Sequence, residues 1–590
     1  MAFGDLLEMV GGTGRFQIMH VTLLCIPVLM MASHNLLQNF VAPVPPHYCK
    51  AHKNLSQSLL SPEEILLITV PLDQKGKPMK CLRYVTPQWH LLALNKTSGS
   101  EEQGDAENGL DVELQGCVDG WSYNITDESK SIISDVGRCF IQSDTLHVFK
   151  LHCNMFKFWC FCQWDLVCDL RSLKQMGQTI YMGGVLVGAI VFGDLSDRYG
   201  RRVLLLISYL FMAVSGTCAA FSTSFSMFCL FRFGCGMALS GQGLNGFSLI
   251  LEWIPTRVRT VCGTTAGYCY TTGQLILVAI AYYVRDWRGL TLAVSLPFYV
   301  IFLYSWWFLE SSRWLVLNNR SEEAIRDLKR VARFNGCRDE GEKIDIKMLE
   351  ESMKKEMSCS HGSYSVLDLF RTSTMRKMTI CLSATWLSTS FAYYGLAMDL
   401  QKFGVNIYLM QVIFGAVDIP AKVIINVTMS LLGRRPSQSG ALILAGVAIL
   451  INLMVPDDQQ TVRTCLAVFG KGCLAASFTC CFLYAGELFP TIIRQSGMGF
   501  VSMMARVGSM VAPMVILTED HIPWLPALIY GGAPILSGVA AMFLPETLGS
   551  PLPETIQDVE DRGSGKSSKM RQKKTIPCQE TNTNLLKQAA

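Results

Sequence analysis

Long apolar runs separated by short polar stretches dominate this chain. The runs lie at 16–38, 175–193, 203–221, 226–250, 260–283, 288–309, 377–397, 406–431, 438–455, 463–485, 495–517 and 524–544. A helix needs about 20 mainly apolar residues to cross about 30 Å of hydrocarbon. The pattern therefore predicts an all-α membrane protein with twelve transmembrane helices in two six-helix halves.

Polar segments set the domain boundaries. We expect an N-terminal half at 1–310, a linker at 311–376, a C-terminal half at 377–545 and a tail at 546–590. In the linker, Ser321–Phe334 has apolar residues at helical spacing, and Asn335-Gly336 follows as a stop signal. The linker is therefore predicted to be helical. The tail carries a basic run with two possible interpretations. It contacts anionic lipid, or it belongs to a disordered chain.

Three short segments of the first half recur at matching positions in the second half. The pairs are Gly200-Arg201-Arg202 with Gly433-Arg434-Arg435, Glu252–Arg259 with Glu487–Arg494, and Glu310-Ser311 with Glu546-Thr547. Each segment lies at the same end of the corresponding helix in its half. Parallel six-helix repeats are typical of transporters whose halves rock about a central site. The repeat therefore predicts a transporter that works by alternating access.

Loop charge orients the predicted bundle. Arginines concentrate in loops on one side of it, at Arg198, Arg201, Arg202, Arg257, Arg259, Arg434 and Arg435. Because cytoplasmic loops carry an excess of Lys and Arg, both termini and the linker are expected in the cytoplasm.

The segment 41–174 is then a large extracellular loop. It contains glycosylation sequons at Asn54, Asn95 and Asn124, and it holds eight cysteines. An even number of cysteines in an oxidising space predicts disulfides, and we expect at least four to be bridged, with the pairing left open. Zinc binding, which would need clustered Cys and His in a reducing compartment, is not expected. The loop predicts a glycosylated protein of the plasma membrane.

Composition narrows the possible functions. Charged residues make up 17% of the chain, against about 25% in soluble domains, and the net charge of +4 gives no ground for a nucleic-acid partner. The segment Gly563–Ser567 lacks the earlier glycine of a phosphate-binding loop, and no two histidines have metalloprotease spacing. We therefore expect no enzyme, no cofactor and no metal site.

Several motifs resemble a known transporter family. Gly193–Arg202 resembles the signature between helices 2 and 3 of the major facilitator superfamily, and Trp164–Cys168, Glu252–Arg259 and Glu487–Arg494 resemble segments of the organic ion carriers. Met1-Ala2-Phe3, Gly14–Gln17 and Ala32–Asn35 are similar to the organic anion transporters. The chain departs from the family at Ser312, where a proline is usual, and at 135–162, which looks inserted. The resemblance implies the major facilitator fold and transport of organic anions.

Two cations within predicted helices, Lys422 and Arg506, are the sharpest clue to the substrate. A charge near the middle of a membrane costs about 2.5–3.5 kcal/mol on insertion scales, so such residues usually face a cavity or a partner. We expect both to bind an anion in the central cavity, although Lys422 has an alternative partner in Asp418, and Arg506 in an acid on another helix. The resemblance supports this hypothesis, because anion carriers have cations at both positions and cation carriers have an acid in place of Arg506. A cation or zwitterion carrier remains the alternative, and a non-transporting receptor a remote one.

Polar and aromatic residues are expected to complete the substrate site. The candidates are Asn35, Tyr270, Tyr393, Tyr394, Phe478 and Phe482. Packing between helices is the alternative role for each of them. For the segment Arg232–Gly236 a structural or gating role is expected, by its resemblance to a superfamily element.

Charged residues at the predicted cytoplasmic ends of the helices are gating candidates. They are Asp197, Arg198, Arg201, Arg202, Glu252, Arg257, Glu310, Arg313, Glu487 and Arg494. Ion pairs among them would brace the halves when the inner gate is shut, as a bistable interface requires.

The membrane potential constrains how an anion is carried. A negative interior opposes anion uptake by about 2.3 kcal/mol per charge per 100 mV. Exchange for an outgoing anion removes that penalty, and the family resemblance implies an intracellular dicarboxylate as the counter-anion. The expected partners are thus a small organic anion, a dicarboxylate and the lipid bilayer.

Overall fold

The computed structural model describes residues 3–52, 60–73, 76–92, 113–123, 166–255, 258–360, 366–398, 400, 405–456, 458–490, 493–550, 553 and 555–563. The predicted sequons, the segment 135–162 and the basic run of the tail lie outside these residues. What is described is mostly helical.

Ten helices are described up to Ser305. They are α1 Phe3–Met9, α2 Arg15–Leu36, α3 Gln38–Val41, α4 Pro62–Thr69, α5 Arg171–Tyr199, α6 Arg201–Ala220, α7 Phe225–Trp253, α8 Arg259–Tyr283, α9 Trp287–Ser295 and α10 Pro297–Ser305. The predicted helix at 288–309 is interrupted here, because it is split into α9 and α10 at Pro297 and ends earlier. A proline has no N–H to donate to the preceding turn, which accounts for the break.

The linker and the second half follow. The linker contains α11 Ser312–Leu317, α12 Ser321–Asn335, α13 Arg338–Glu342 and α14 Ile346–Ser360. The second half contains α15 Ser373–Ala397, α16 Ile407–Leu431, α17 Arg434–Met454, α18 Gln460–Leu488, α19 Arg494–Ile516 and α20 Leu525–Ala541, and α21 Ile556–Gly563 begins the tail. Helix α12 ends at Gly336 with a φ of 82°, as its stop signal predicts.

A helix occupies each of the twelve predicted segments. Within the described part of the chain, eight helices are long and apolar enough to cross a membrane: α2, α5, α6, α9 with α10, α16, α17, α18 and α19. Helix α20 is apolar but shorter. The number of twelve spans, the domain boundaries and the cytoplasmic position of the termini therefore stay predictions.

The two ends of the bundle differ, and we name them by what they carry. The loop face is the end where α2 and α15 finish at Leu36 and Ala397, next to the segment 41–174. The linker face is the opposite end, where α5 gives way to α6 at Gly200. The described part of the segment forms two antiparallel strand pairs, in which β1 His47–Cys49 pairs with β4 Trp121–Tyr123, and β2 Leu82–Tyr84 with β3 Leu114–Gly116.

Two disulfides join these strands to each other and to the bundle. Cys49 is bonded to Cys117 and Cys81 to Cys168. The prediction that at least four of the eight cysteines are bridged is therefore confirmed. The other four lie outside the described residues.

The charged signature between α5 and α6 is mostly helical, which corrects the expected loop at 193–202. Helix α5 continues to Tyr199, and the chain turns only at Gly200, with a φ of 95°. Gly433, before α17, has a φ of 104°. L residues with a side chain avoid this conformation, so each turn depends on its glycine.

The linker packs onto the first half. Leu6, Leu7 and Val10 of the N-terminal segment share a buried core with Leu328 and Val331 of α12. The Asn335 amide accepts from Phe16 N–H at 2.9 Å and donates to the Val10 carbonyl at 2.9 Å. These contacts tie the linker to the end of α2 on the linker face.

Candidate functional site

Lys422 lies midway along α16 and reaches across to the other half. Its Nζ donates to the Gly267 carbonyl and to Thr271 Oγ1, each at 2.8 Å, on α8. Among the described residues no carboxylate lies within ion-pair distance of this ammonium. Its charge is solvated by a carbonyl and a hydroxyl, and an incoming anion could replace either group.

Asp418 forms its ion pair with Lys471, and it remains an electrostatic neighbour of Lys422, its alternative partner. Its carboxylate lies 3.1 Å from Lys471 Nζ on α18, and the two side chains are 3% and 1% exposed. Tyr393 and Gln274 each donate to the same carboxylate at 3.3 Å. The Lys471 ammonium also sits 3.7 Å from the centre of the Tyr393 ring. The pair is therefore a closed, neutral unit beside the site.

Lys471 is the charged residue beside the site that the sequence did not lead us to predict. A signal was available, since Lys471 is an isolated cation within the predicted helix at 463–485. A cation inside a membrane helix is expected to have a function or a partner. Its pairing with Asp418 across helices was not visible in the sequence.

Arg506 lies on α19 and is half-buried. Its Nη1 donates to Ser502 Oγ at 3.0 Å, one turn earlier on the same helix, and Tyr394 is an electrostatic neighbour. No described carboxylate forms an ion pair with it. With Lys471 paired with Asp418, Lys422 and Arg506 are two cations in the centre of the bundle that form no ion pair within the described part of the chain.

A layer of hydroxyl and amide groups spans the two halves towards the loop face. Asn35 donates to the Tyr270 hydroxyl at 3.1 Å and accepts from Tyr181 at 3.0 Å. Tyr270 in turn is an electrostatic neighbour of Tyr394 of the second half. The chain of contacts therefore runs from the first half to the neighbourhood of Arg506. Of the predicted substrate residues, it brings together Asn35, Tyr270 and Tyr394.

Aromatic rings lie on the other side of this layer, towards the linker face. The Phe478 ring packs edge-to-face on Tyr393 at 5.2 Å. The Phe482 ring, 49% exposed, meets Phe247 of α7 at 5.8 Å. Phe247 was not predicted, although its place in the first half matches that of Phe482 in the second. This ring pair is a contact between the halves near the linker face.

The buried Arg232 on α7 lies behind the polar layer. Its guanidinium is stacked 4.2 Å from the Tyr181 ring centre, and Nη2 donates to the His34 carbonyl at 3.4 Å. It thus supports Tyr181, which bonds Asn35. A structural or gating role stays a prediction.

The gating candidates of the first half form a cluster at the start of α6. The Glu310 carboxylate accepts from the N–H groups of Arg201 at 3.0 Å and Arg202 at 3.1 Å. Arg201 forms ion pairs with Asp197 at 3.0 Å and with Glu252 at 3.6 Å. Burial raises the pKa of Glu310 above its ordinary value, and the hydrogen bonds it accepts from N–H groups oppose that rise.

The second half repeats the arrangement at the start of α17. Glu546 accepts from the N–H groups of Arg434 at 2.9 Å and Arg435 at 3.0 Å, and Arg434 pairs with Glu487 at 3.0 Å. Burial acts to raise the pKa of Glu546, but its hydrogen bonds from backbone N–H groups outweigh burial and place that pKa below the ordinary value. Thus the three pairs of repeated segments converge on one cluster in each half.

Each cluster is contained within its own half, and the described ion pairs do not cross between halves. Arg198 pairs with Asp194 at the surface at 3.3 Å, Arg313 stacks on the Phe3 ring at 4.8 Å, and Arg494 donates to the Phe489 carbonyl at 3.1 Å. Arg257 lies outside the described residues. Bracing between the halves and gating by these residues therefore stay predictions.

Comparisons with known proteins agree on the kind of molecule. The family described as Sugar (and other) transporter matches residues 129–558. A protein of Pseudopleuronectes americanus named solute carrier family 22 member 6 is 70% identical over 590 residues, covering 100% of both chains. Organic anion transporter 3 of Homo sapiens is 46% identical, covering 95% of this chain and 94% of its own.

A solved structure shows the same fold. The inward-open xylose transporter XylE of E. coli is 19% identical and has a TM-score of 0.53, covering 66% of this chain and 89% of its own. At that identity the likeness concerns the fold alone. These matches are to transporters, and they confirm the expectation that the chain is not an enzyme.

Proposed function

The chain belongs to the sugar (and other) transporter family and, within it, to solute carrier family 22, and from that membership we propose that it is a secondary active transporter of amphipathic organic anions. The observation that carries the proposal is that two cations in the centre of the bundle, Lys422 and Arg506, are hydrogen-bonded to neutral groups and form no described ion pair. The name of the human relative, an organic anion transporter, supports the same substrate class.

The charges around the centre favour anions over cations. Asp418 is the acid that a cationic substrate would need, and it is already paired with Lys471 in a buried site. Removing either partner of such a pair is costly, so Asp418 is a poor ligand for a substrate. The rings of Tyr394 and Phe478, which both pack on Tyr393, are the proposed apolar contacts of the substrate. An aromatic carboxylate or sulfonate fits this combination, and Arg506 offers it a two-pronged contact.

Exchange for an intracellular dicarboxylate is the proposed coupling. Two cations without a described ion pair match two carboxylates, so a dicarboxylate neutralises the site fully. A transported anion exchanged for another anion moves less net charge against the membrane potential.

Alternating access explains where the halves touch. At the loop face, Asn39 Nδ2 donates to the Ala397 carbonyl at 2.8 Å, and Phe40 stacks on Tyr408 at 5.6 Å. At the linker face, the Phe247–Phe482 ring pair is the contact near the centre. We propose that this conformation is closed on the loop face and that the ring pair is a thin gate on the linker face.

The bilayer surrounds the bundle, and we propose that the loop face is extracellular at the plasma membrane. Its disulfides need an oxidising space. The exposed aromatic residues Tyr283, 84% exposed, and Trp307, 82% exposed, lie at opposite faces of the bundle, at the end of α8 on the loop face and just after α10 on the linker face. Aromatic residues in such positions sit at membrane interfaces.

Vesicle transport tests the proposal. The purified protein is reconstituted in liposomes that are empty or preloaded with glutarate, and uptake of 6-carboxyfluorescein is followed. We expect uptake, faster into preloaded vesicles, and its loss in Arg506→Asp. Equal rates in both vesicles would refute exchange, and uptake unaffected by Arg506→Asp would refute the anion site.

A further inference from the structure

A small polar cavity lies between the halves at the loop face. Its volume is about 30 Å³. The wall from the first half consists of Gln38, Asn39, Lys174, Gln175 and Gln178, and the opposite wall is apolar and includes Leu400. Four residues with amide side chains thus line one small space, together with Lys174, whose backbone carbonyl accepts from Gln38 Nε2 at 3.5 Å. Among them, hydrogen-bond donors are plentiful.

Gln178 is the unusual member of this cluster. It is 1% exposed, and neither its amide oxygen nor its amide nitrogen has a hydrogen-bond partner among the described residues. Buried polar groups are nearly always paired, so an unpaired amide needs an explanation. An amide that is unpaired in the closed conformation can gain its partner when the cavity opens.

The cavity lies on the seam that must open. Asn39, on its wall, donates across the seam to the Ala397 carbonyl at 2.8 Å and to Gln411 Oε1 at 3.4 Å. When these contacts break, the apolar wall leaves with the second half. The amides stay on the first half and face the entrance from the loop side. They lie further towards that side than the Asn35–Tyr270 layer, so a solute from the loop side meets them first.

We propose that this amide cluster is a loading site for the carboxylate of the incoming anion, with Gln178 as a specificity-determining residue. The inference rests on the proposed function. Amide N–H groups donate to a carboxylate, but they carry no net charge and therefore hold it less tightly than a cation does. The substrate can then move on to Lys422 and Arg506. In the closed conformation the space left is the size of a single water molecule or a monatomic ion.

The test compares the two faces of the transporter. External and internal KM values for 6-carboxyfluorescein are measured in oriented vesicles, for the native protein, Gln178→Leu and Gln178→Glu. We expect the external KM to rise about threefold or more in Gln178→Leu and about tenfold or more in Gln178→Glu, with the internal KM within twofold of the native value. The glutamate has the same shape but repels a carboxylate.

The glutamate variant separates recognition from a mere bias between conformations. A charged, hydrated residue at this seam favours the open loop face, so a purely conformational role predicts a lower external KM in Gln178→Glu. An external KM that is unchanged or lower overturns the proposal, as does an equal rise on both faces. If the native protein carries no 6-carboxyfluorescein at all, it is the proposed function that fails.

Gln242→Leu is the matched control. Gln242 is a buried amide of the same half whose polar atoms are also without a described partner, and it does not line the cavity. Should Gln178→Glu not reach the membrane, Gln178→Asn serves instead. It keeps the amide and should lie between the native protein and Gln178→Leu in external KM.

Discussion

Two of the lysines in the central membrane region have opposite environments. Lys471 forms a buried ion pair with Asp418, whereas the hydrogen bonds described for Lys422 go to a carbonyl and a hydroxyl of the other half. Substitutions at the two positions should therefore act on different quantities. Changes at the buried pair should act on stability, and changes at Lys422 on substrate affinity.

Breaking the Asp418–Lys471 pair should be costly, and removing both charges should be less so. Loss of one partner from a buried ion pair costs about 3–5 kcal/mol, because the other charge is left unpaired. We expect Asp418→Asn and Lys471→Gln each to lower the melting temperature of the purified protein strongly, and the double variant to recover part of the loss. Additive losses in the double variant would contradict the pairing.

Lys422→Met should weaken substrate binding without loss of stability. A hydrogen bond to a charged group contributes about 1.5–3 kcal/mol, so KM for an aromatic carboxylate should rise roughly ten- to a hundredfold.

At Arg506, the Arg506→Lys variant keeps the charge but loses the planar contact, and it should raise KM less than Arg506→Met does. Uptake kinetics normalised to surface protein measure this. Equal effects of both Arg506 variants would rule out a two-pronged contact.

At the scale of elements, the repeated segments form the same helix-capping arrangement in both halves. In each half, a carboxylate from after the sixth helix of that half caps the first N–H groups of a helix that starts at a glycine turn. A negative charge at a helix N-terminus satisfies N–H groups that lack partners and is favoured by the helix dipole. The two capping carboxylates differ in burial, and their pKa values therefore shift in opposite directions.

Gln substitution should distinguish the two acids. The raised pKa of Glu310 means that its charge lowers stability as pH rises above the ordinary Glu value. The lowered pKa of Glu546 means that its charge stabilises the fold at pH values above the ordinary Glu pKa. That stabilisation is lost as the pH falls through the lowered pKa. We therefore expect Glu546→Gln to lower the melting temperature at pH 7.4 more than Glu310→Gln does, by about 2 °C or more. The reverse order would contradict the assignment.

The two turn glycines should not tolerate a side chain. A Cβ at Gly200 would collide with the Glu310 carboxylate, and one at Gly433 would lie 2.6 Å from the Glu546 carboxylate. Both positions also have a positive φ. Gly200→Ala and Gly433→Ala should each destabilise the protein by more than about 1 kcal/mol, measured as a drop in melting temperature. Gly193→Ala is the control, because a Cβ there meets nothing within 4 Å.

At the scale of the whole molecule, the halves touch through polar groups and rings. The contacts described between them are hydrogen bonds such as Asn39 to the Ala397 carbonyl and ring pairs such as Phe247–Phe482. Rocking then breaks hydrogen bonds and ring contacts, which are individually weak. This suits a molecule that must visit two conformations of similar free energy.

The Phe247–Phe482 pair should act as one gate. Aromatic pairs contribute about 0.5–1.5 kcal/mol beyond their burial. We expect Phe247→Ala to raise the KM for transport from the linker side about two- to tenfold, and Phe482→Ala to do the same. The double variant should be no worse than either single one. Independent, additive effects would show that the rings act separately. Leu230→Ala, at an exposed position of α7, is the control.

The apolar pattern determined most of the helices. Runs of about 20 apolar residues leave few other structures in a membrane, because backbone groups must bond within their own segment. The repeats at Gly200 and Gly433 likewise indicated two similar halves. Lys422 and Arg506 stood out because charge is rare in such runs.

Only the tertiary structure decided which charges are partners. Asp418 lies four residues before Lys422 on one helix, and local spacing favoured that pair, yet Lys471 of another helix takes the carboxylate. Contacts between distant helices, such as Phe247 with Phe482, depend on how the halves pack and leave no trace in local sequence. The sequence alone thus determined where most of the helices lie and which kinds of side chain they carry. Packing in three dimensions decided which cations remain available, because a charge in a low-dielectric interior is governed by its nearest opposite charge.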